Sequence, residues 1–155
     1  MYKKILFPTD GSDVARAAAP SAIDFAHACG SEMLVLSVAR PTYLMPSDDS
    51  AMTSDPGFGV EELMKAADEY VQHVADIAQA AGVTCTTLTI FSDSPCDEII
   101  AVAEREQCDL IAMGSHAGHR LRKILAGSET IEVLACCAIP VLVLRPVQTP
   151  GPTGG

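Results

Sequence analysis

A loop rich in glycine, serine and basic side chains lies between Gly114 and Thr130. It follows an apolar run, 109–113, that is typical of a buried parallel strand, and a new helical pattern begins at Gly127-Ser128. Glycines at such positions expose backbone N–H groups and the start of a helix to a ligand. The ligand that such loops most often bind is a phosphate. The sequence therefore predicts an anion site in this loop.

The local charge of this loop is opposite to that of the whole chain. The formal net charge is −10, from 20 Asp and Glu against 10 Lys and Arg. Three of those ten cations, Arg120, Arg122 and Lys123, lie in the loop. The acidic total argues against general binding to nucleic acid or to an anionic membrane. The local cations favour a small anionic ligand, with a merely solvated loop as the alternative.

Side chains that could act in catalysis form no recognisable set. His116 could donate a hydrogen bond to a phosphate, but His116 and His119 lack a cysteine or carboxylate partner, so we predict no metal site. Ser115, Ser128 and Asp10 do not indicate a catalytic triad. The chain also has neither a Gly-x-Ser-x-Gly elbow nor a Gly-x(4)-Gly-Lys-Ser/Thr loop. The sequence therefore favours a binding protein over an enzyme.

The segments that must position this loop alternate regularly between strand-like and helix-like patterns. Short apolar or alternating runs predict five strands, at 3–8, 32–39, 83–91, 109–113 and 140–145. Helical periodicity and capping residues predict helices at 13–28, 63–78 and 95–107 and one from 128 onward. This order predicts an α/β fold: a single-domain, open five-stranded parallel sheet with helices on both faces.

Local sequence features refine these elements. Pro20 lies well inside the first helix, where proline costs about 3 kcal/mol, so we predict a kink or a position on the solvent face. Ser94 and Asp97 predict a capping box, with Pro95 at the first helical position. The Thr-rich alternation of 83–91 predicts a strand near the sheet edge. The breaker-rich segment 40–59 predicts a mobile loop or a lid.

The predicted topology places three loops at one edge of the sheet. Parallel α/β sheets bind ligands beyond the carboxyl ends of their strands, where the strand order reverses. The loops expected to converge there are 8–12 after the first strand, 38–40 after the second and 114–130 after the fourth. The ligand site is therefore predicted from all three.

Composition limits the setting of the protein. The six cysteines form no CxxC pair and no zinc spacing with histidine, so we predict free thiols. No apolar run approaches the ~20 residues of a membrane span, and no signal peptide is recognisable. These features predict a cytoplasmic protein. We expect one domain over 1–146 and a disordered tail at 147–155, where a sequence rich in Gly and Pro has little to bury.

Several motifs, in this order and spacing, resemble the universal stress protein family. They are the run 5–12, Ser94-Pro95 with Glu98-Ile99, the run 109–116, and Gly127-Ser128 through 139–143. The resemblance covers essentially the whole chain to Pro146. It implies a Rossmann-like fold of the adenine-nucleotide alpha-hydrolase type, a homodimer formed through the last strand, 140–145, and a regulatory role in the stress response. One branch of the family binds ATP through Gly-x-x-Gly-x(9)-Gly-Ser/Thr, and another lacks that motif and does not.

The resemblance also implies roles for individual residues. Asp10, which follows Pro8-Thr9, would contact the adenosine part of the ligand, with Val38 against the adenine. Gly114, after Met113, would lie under the ribose. The residues implied on the phosphate side are Gly127, Ser128 and Thr130. From their own chemistry and place in the loop, His116, Gly118 and the backbone N–H of Glu129 are further candidates there. The implied ligand is ATP or another adenine nucleotide, with Mg²⁺ carried by its phosphates.

The chain departs from the ATP-binding motif at one position. Counted from Gly114, the motif requires glycine at 117, but residue 117 is alanine and glycine follows at 118. A left-handed alanine costs about 1–2 kcal/mol, and its Cβ could block a phosphate. Glu129 adds a negative charge beside the predicted site. The alternatives to a regulatory nucleotide-binding homodimer are thus a nucleotide-free interaction module with a degenerate pocket, or a slow ATPase.

Overall fold

The computed structural model describes residues 1–41, 59–115 and 128–145, with the backbone alone for 128–131. Its elements are β1 (Lys4–Pro8), α1 (Asp13–Cys29), β2 (Glu32–Ala39), α2 (Val60–Ala80), β3 (Cys85–Phe91), α3 (Pro95–Arg105), β4 (Leu110–Gly114), α4 (Ser128–Cys136) and β5 (Val141–Leu144). The predicted alternation of strands and helices is confirmed. Most of the predicted 40–59 loop, the Ala117-Gly118 pair and the 147–155 tail lie outside the described residues.

The five strands form one parallel sheet in the order β3-β2-β1-β4-β5. The chain moves outward from β1 through β2 to β3, then crosses back to β4 and continues to β5. The strand order therefore reverses between β1 and β4. The prediction that the Thr-rich strand lies near an edge is confirmed, because β3 is one edge of the sheet and β5 is the other.

Helices cover both faces of the sheet, as predicted. The strand residues Ile5, Phe7 and Val35 pack with residues of α1 and α2, including Ala19, Ile23, Val71 and Val74. On the opposite face, Leu6, Leu34 and Leu36 pack with Ile99 and Val102 of α3 and Val133 of α4. Successive strand residues point to opposite faces, so a strand that is apolar at nearly every position must be covered on both sides. No helix within these residues is long and apolar enough to cross a membrane.

Helix α1 continues through Pro20. The proline lies on the exposed side of the helix, the second of the two predicted solutions. Water can there solvate the carbonyl that loses its N–H partner. The helix begins at Ser12, whose Oγ accepts a hydrogen bond from the backbone N–H of Ala15 at 3.3 Å, and ends at Gly30 in the left-handed conformation.

The predicted capping box at Ser94 is wrong. Pro95 does occupy the first turn of α3, but the Ser94 side chain makes no capping hydrogen bond. Ser94 has φ −121° and ψ 75°, whereas Ser12, which does cap its helix, has φ −65° and ψ 160°. Ser94 thus lacks the extended backbone conformation that is usual at an N-cap. The backbone N–H of Ser94 instead donates to Ser92 Oγ at 3.2 Å.

Asp109 joins the amino-terminal ends of β1 and β4. Its Oδ2 accepts from the backbone N–H of Lys3 at 2.8 Å, and its Oδ1 from that of Lys4 at 3.0 Å. Burial of the carboxyl opposes ionisation, but these N–H donors outweigh it, and the pKa of Asp109 lies below its ordinary value. The ionised carboxylate therefore stabilises the strand pair.

Replacing this carboxylate should produce a pH-dependent loss of stability. Asp109→Ala should lower the free energy of unfolding by about 1 kcal/mol at neutral pH, a modest value because the group is partly solvated. A carboxyl with a depressed folded pKa contributes stability above its unfolded pKa and loses it as the pH falls through the folded pKa. The deficit should thus shrink in urea titrations repeated in acid. An equal deficit at both pH values would contradict this account, and Glu69→Ala on the exposed face of α2 is the control.

Candidate functional site

A cleft of about 220 Å³ opens beyond the carboxyl ends of the central strands. β1 and β4 pair only through Ile5 and Leu6 of β1. Beyond Leu6, β1 stays beside β2 as far as Pro8, whereas β4 stays beside β5 as far as Gly114. The two strands therefore separate where the strand order reverses, and the cleft lies between their ends. This is the position that the topology predicts.

Half of the predicted site residues line this one cleft. They are Pro8, Thr9, Asp10, Val38, Met113 and Gly114, from the ends of β1, β2 and β4. Of the others, Ser128, Glu129 and Thr130 form the first turn of α4. His116, Gly118 and Gly127 lie outside the described residues. The structure thus brings together the residues predicted around the adenosine, and those predicted around the phosphates stay predictions.

Ser12 and Arg40, from two of the predicted loops, also line the cleft. Five further lining residues were not assigned to it from the sequence: Val14, Ala15, Leu36, Pro95 and Ile99. Pro95 and Ile99 come from α3, which packs under the cleft from the second face of the sheet. The sequence did single out both residues, because Ser94-Pro95 and Glu98-Ile99 are among the motifs that resemble the family. The resemblance implied no binding role for either residue.

The cleft has an apolar wall and a polar rim. Leu36, Ile99 and Met113 are buried and form part of the wall. The exposed side chains of Asp10 and Arg40 are at the rim, and they are the acid and the cation among the described lining residues. An apolar cleft with a few convergent polar groups suits a flat ring system that carries polar substituents.

Hydrogen bonds hold the turn after β1 at the mouth of the cleft. The backbone N–H of Thr9 donates to Leu36 O at 2.8 Å, which extends the pairing of β1 with β2 by one residue. Asp10 Oδ1 accepts from the backbone N–H of Ser12 at 2.9 Å. Asp10 therefore has a local structural role in the turn. It is compatible with ligand binding, because a carboxylate has two oxygens and about four acceptor directions.

Gly114 is constrained by packing. A Cβ on this residue would lie 3.0 Å from the carbonyl oxygen of Val14 and 3.0 Å from the Cβ of Ala18. The first turns of α1 pass directly against the end of β4, so a Cβ at residue 114 fits only if the helix moves slightly away from the strand. The glycine that the resemblance assigns to the ribose thus also has a structural role.

Gly114→Ala should lower the free energy of unfolding by about 1–2 kcal/mol, because the helix backbone must shift to admit a Cβ. Urea unfolding of the two proteins measures this difference. Ala18→Gly in the same chain removes one of these contacts, and the double variant should fall short of the sum of the two single losses. If the free energy of unfolding of Gly114→Ala equals that of the wild type, α1 can move away from β4 without a measurable loss of stability.

Cys96 follows Pro95 of the cleft wall. Burial, and after it the nearby Glu132 carboxylate, raise the pKa of Cys96 to about 11. The group is therefore a thiol at neutral pH. All six cysteines are free, as predicted. Within the part of the chain that the structure describes, no group of three His, Cys, Asp or Glu side chains could hold a metal ion.

A parallel sheet covered on both faces, with a cleft where its strand order reverses, defines a doubly wound α/β protein that can hold a small ligand. The model of the universal stress protein family matches residues 1–145. The universal stress protein MJ0531 of Methanocaldococcus jannaschii is 34% identical over 148 residues, which are 94% of this chain and 83% of the relative. The chain therefore belongs to the universal stress protein family.

Solved structures agree with this assignment. Protein MJ0577 of the same organism is 28% identical, with a TM-score of 0.76 over 96% of this chain and 99% of that one. A universal stress protein of Archaeoglobus fulgidus, solved in complex with dAMP, has a TM-score of 0.65 at 20% identity over 92% of this chain and 98% of that one. The second likeness shows the fold alone.

Proposed function

We propose that this protein is a regulatory adenine-nucleotide-binding protein of the stress response, acting in the cytoplasm on a protein partner. The observation that carries the proposal is the cleft, which unites Asp10, Val38 and Gly114 with the apolar wall of α3. The adenine ring would lie on the apolar wall against Val38. Asp10 at the rim would accept hydrogen bonds from the adenosine part.

The phosphates would extend toward α4. This helix begins at Ser128, directly after the loop that follows β4, so its first turn is at the same edge of the sheet as the cleft. A helix N-terminus carries roughly half a positive charge and free N–H groups, both of which favour an anion. Mg²⁺ would be carried by the phosphates. The dAMP bound by the Archaeoglobus fulgidus protein is a property of that protein, and it supports adenine nucleotides as the ligands to test first.

Calorimetric titration with ATP, ADP, AMP and cyclic AMP tests the proposal. We expect saturable binding below millimolar concentration, and tighter binding of ATP than of AMP if the α4 terminus holds phosphates. No heat from any of these ligands at millimolar concentration would overturn the proposal in favour of the nucleotide-free interaction module, which Ala117 motivates. ADP formation faster than in a protein-free blank would instead support the slow ATPase.

The homodimer through 140–145 belongs to the same proposal. β5 pairs with β4 along one side and is an edge strand on the other. Two large apolar side chains are exposed on this part of the protein, Val143 at 37% and Leu134 of α4 at 50%. An apolar edge strand favours pairing with a second copy of itself.

Val143→Asp should therefore convert the dimer into a monomer, because two copies of the charge would meet in the paired strands. Light scattering of the purified proteins measures the mass directly. Thr87→Asp places the same charge at an exposed position of the opposite edge strand and should leave the mass unchanged. If Val143→Asp has the mass of the wild type, the interface is elsewhere.

A further inference from the structure

We propose that Tyr70 of α2 is a positioning residue for the cleft, acting through Gly11 on the carboxylate of Asp10. Tyr70 is not one of the residues that line the cleft, because its ring lies behind the turn. The inference rests on the proposed function, since it concerns the residue at the cleft rim that would contact the adenosine.

The turn after β1 lies directly against the Tyr70 ring. A Cβ built on Gly11 would lie 2.3 Å from Cε1 of the ring and 2.5 Å from Cδ1 and Cζ. The backbone of the turn is therefore in contact with the ring, with no space for even a methyl group. Gly11 has a φ of +73°, a conformation that glycine adopts without strain and other residues rarely adopt.

The ring is held by a helix that is anchored in the core. Tyr70 is half-buried, and its helical neighbours Ala67, Val71 and Val74 are almost fully buried beneath α2. Residues three or four positions apart share one side of a helix, so Tyr70 lies on the border of the buried stripe. The stretch of α2 that carries the ring is therefore anchored to the sheet.

The hydrogen bonds within the turn define its local shape but do not fix the position of Gly11 relative to the rest of the protein. Gly11 N–H donates to Thr9 Oγ1 at 3.3 Å, and Ser12 N–H donates to Asp10 Oδ1 at 2.9 Å. Both bonds span only two residues. Thr9 is bound to β2 and Ser12 to α1, so the ends of the turn are anchored. Of the two residues between them, Gly11 is supported by contact with the Tyr70 ring.

Loss of the ring should therefore loosen the turn and reduce ligand affinity. Glycine has the largest backbone freedom of any residue, so an unsupported Gly11 would allow Asp10 to leave its binding geometry for part of the time. Observed affinity falls in proportion to the fraction of molecules that are competent to bind. We expect Tyr70→Ala to raise the Kd for ATP about fivefold, and Tyr70→Phe, which keeps the ring, to leave it within about twofold.

A double-mutant cycle with Asp10 separates this role from a general structural one. If Tyr70 acts through Asp10, Tyr70→Ala should change the Kd for ATP less than about twofold in an Asp10→Ala background. An equal loss in both backgrounds, or no loss in either, would overturn the proposal. Tyr70→Leu replaces Tyr70→Ala if the alanine variant does not unfold cooperatively.

Amide exchange provides a readout that needs no ligand. The Ser12 N–H, which is bound to Asp10 Oδ1, should exchange with solvent faster in Tyr70→Ala than in the wild type or in Tyr70→Phe. If the wild type binds no nucleotide, the proposed function fails, and this exchange decides whether Tyr70 holds the Asp10 turn. Equal exchange of the Ser12 amide in all three proteins would refute the positioning role.

Discussion

Gly11→Ala is expected to lower the free energy of unfolding by about 3 kcal/mol. Two independent terms contribute. A non-glycine residue in the left-handed region costs about 1–2 kcal/mol. The new Cβ would also lie 2.3 Å from the Tyr70 ring, so the ring or the turn must move, which typically costs about 1–3 kcal/mol. Urea unfolding measures the sum.

Two controls separate these terms. Gly30 has a φ of +67° but nothing within 4 Å of its Cβ position, so Gly30→Ala should show the backbone term alone. Gly11→Ala in a Tyr70→Ala background should lose most of the steric term, giving a strongly non-additive cycle. If Gly11→Ala costs no more than Gly30→Ala, the close contact with the ring is refuted.

Removal of the Asp10 carboxylate should cause the largest loss of nucleotide affinity. We expect Asp10→Ala to raise the Kd for ATP by at least about tenfold, because a hydrogen bond to a charged group contributes about 1.5–3 kcal/mol. The exposed position of Asp10 means that protein stability should change by only about 1 kcal/mol. Calorimetry for binding and urea unfolding for stability distinguish the two effects.

Asp10→Asn tests which property of the side chain matters. The amide oxygen can still accept the Ser12 N–H, so the turn should persist while the charge is removed. An intermediate Kd would assign the remainder to charge. Asp13→Asn removes the same charge three residues away, outside the cleft lining, and should leave the Kd within about twofold. Equal affinity of all three variants and the wild type would remove Asp10 from the binding site.

The choice between the nucleotide-binding and the nucleotide-free branch depends on both sides of the cleft. The described residues provide an apolar wall for a base and an acidic group at its rim. Ala117, Gly118 and Glu129 belong to the predicted phosphate side, and the first two are outside the described residues. A protein that retains only the side of the cleft that binds the base would bind adenosine as well as it binds ATP. The comparison of ATP with AMP and adenosine is therefore the measurement that tests the effect of Ala117.

Local chemistry was predicted less reliably than the order of elements. Ser12 and Ser94 both precede a helix and both have the residue type that caps one, yet only Ser12 does so. The two residues differ in both backbone angles, and at Ser94 the following Pro95 and the neighbouring Ser92 influence them. The residue type determines whether a side chain can accept a capping hydrogen bond, and the backbone dihedral angles determine whether that hydrogen bond forms.

The alternation of apolar runs and helical periodicity was sufficient to predict the parallel sheet, its covered faces and the edge position of β3. These properties follow from periodicities of two and 3.6 residues, which are local in the chain and therefore readable from it. The carboxyl ends of β1, β2 and β4 could be assigned to one site for the same reason, since parallel strands bring equivalent ends to one edge.

Contacts between residues distant in the chain could be identified only from the tertiary structure. The approach of α1 that leaves no room beside Gly114, the Tyr70 ring behind Gly11 and the contribution of Pro95 and Ile99 to the cleft wall all join separate elements. Such contacts depend on how closely and at what angle helices pack on the sheet, and no periodic pattern encodes that distance. The glycine-containing loop predicts that the protein binds an anion. The packing of helices and strands around the end of β1 determines which groups line the cleft where the rest of the ligand would bind.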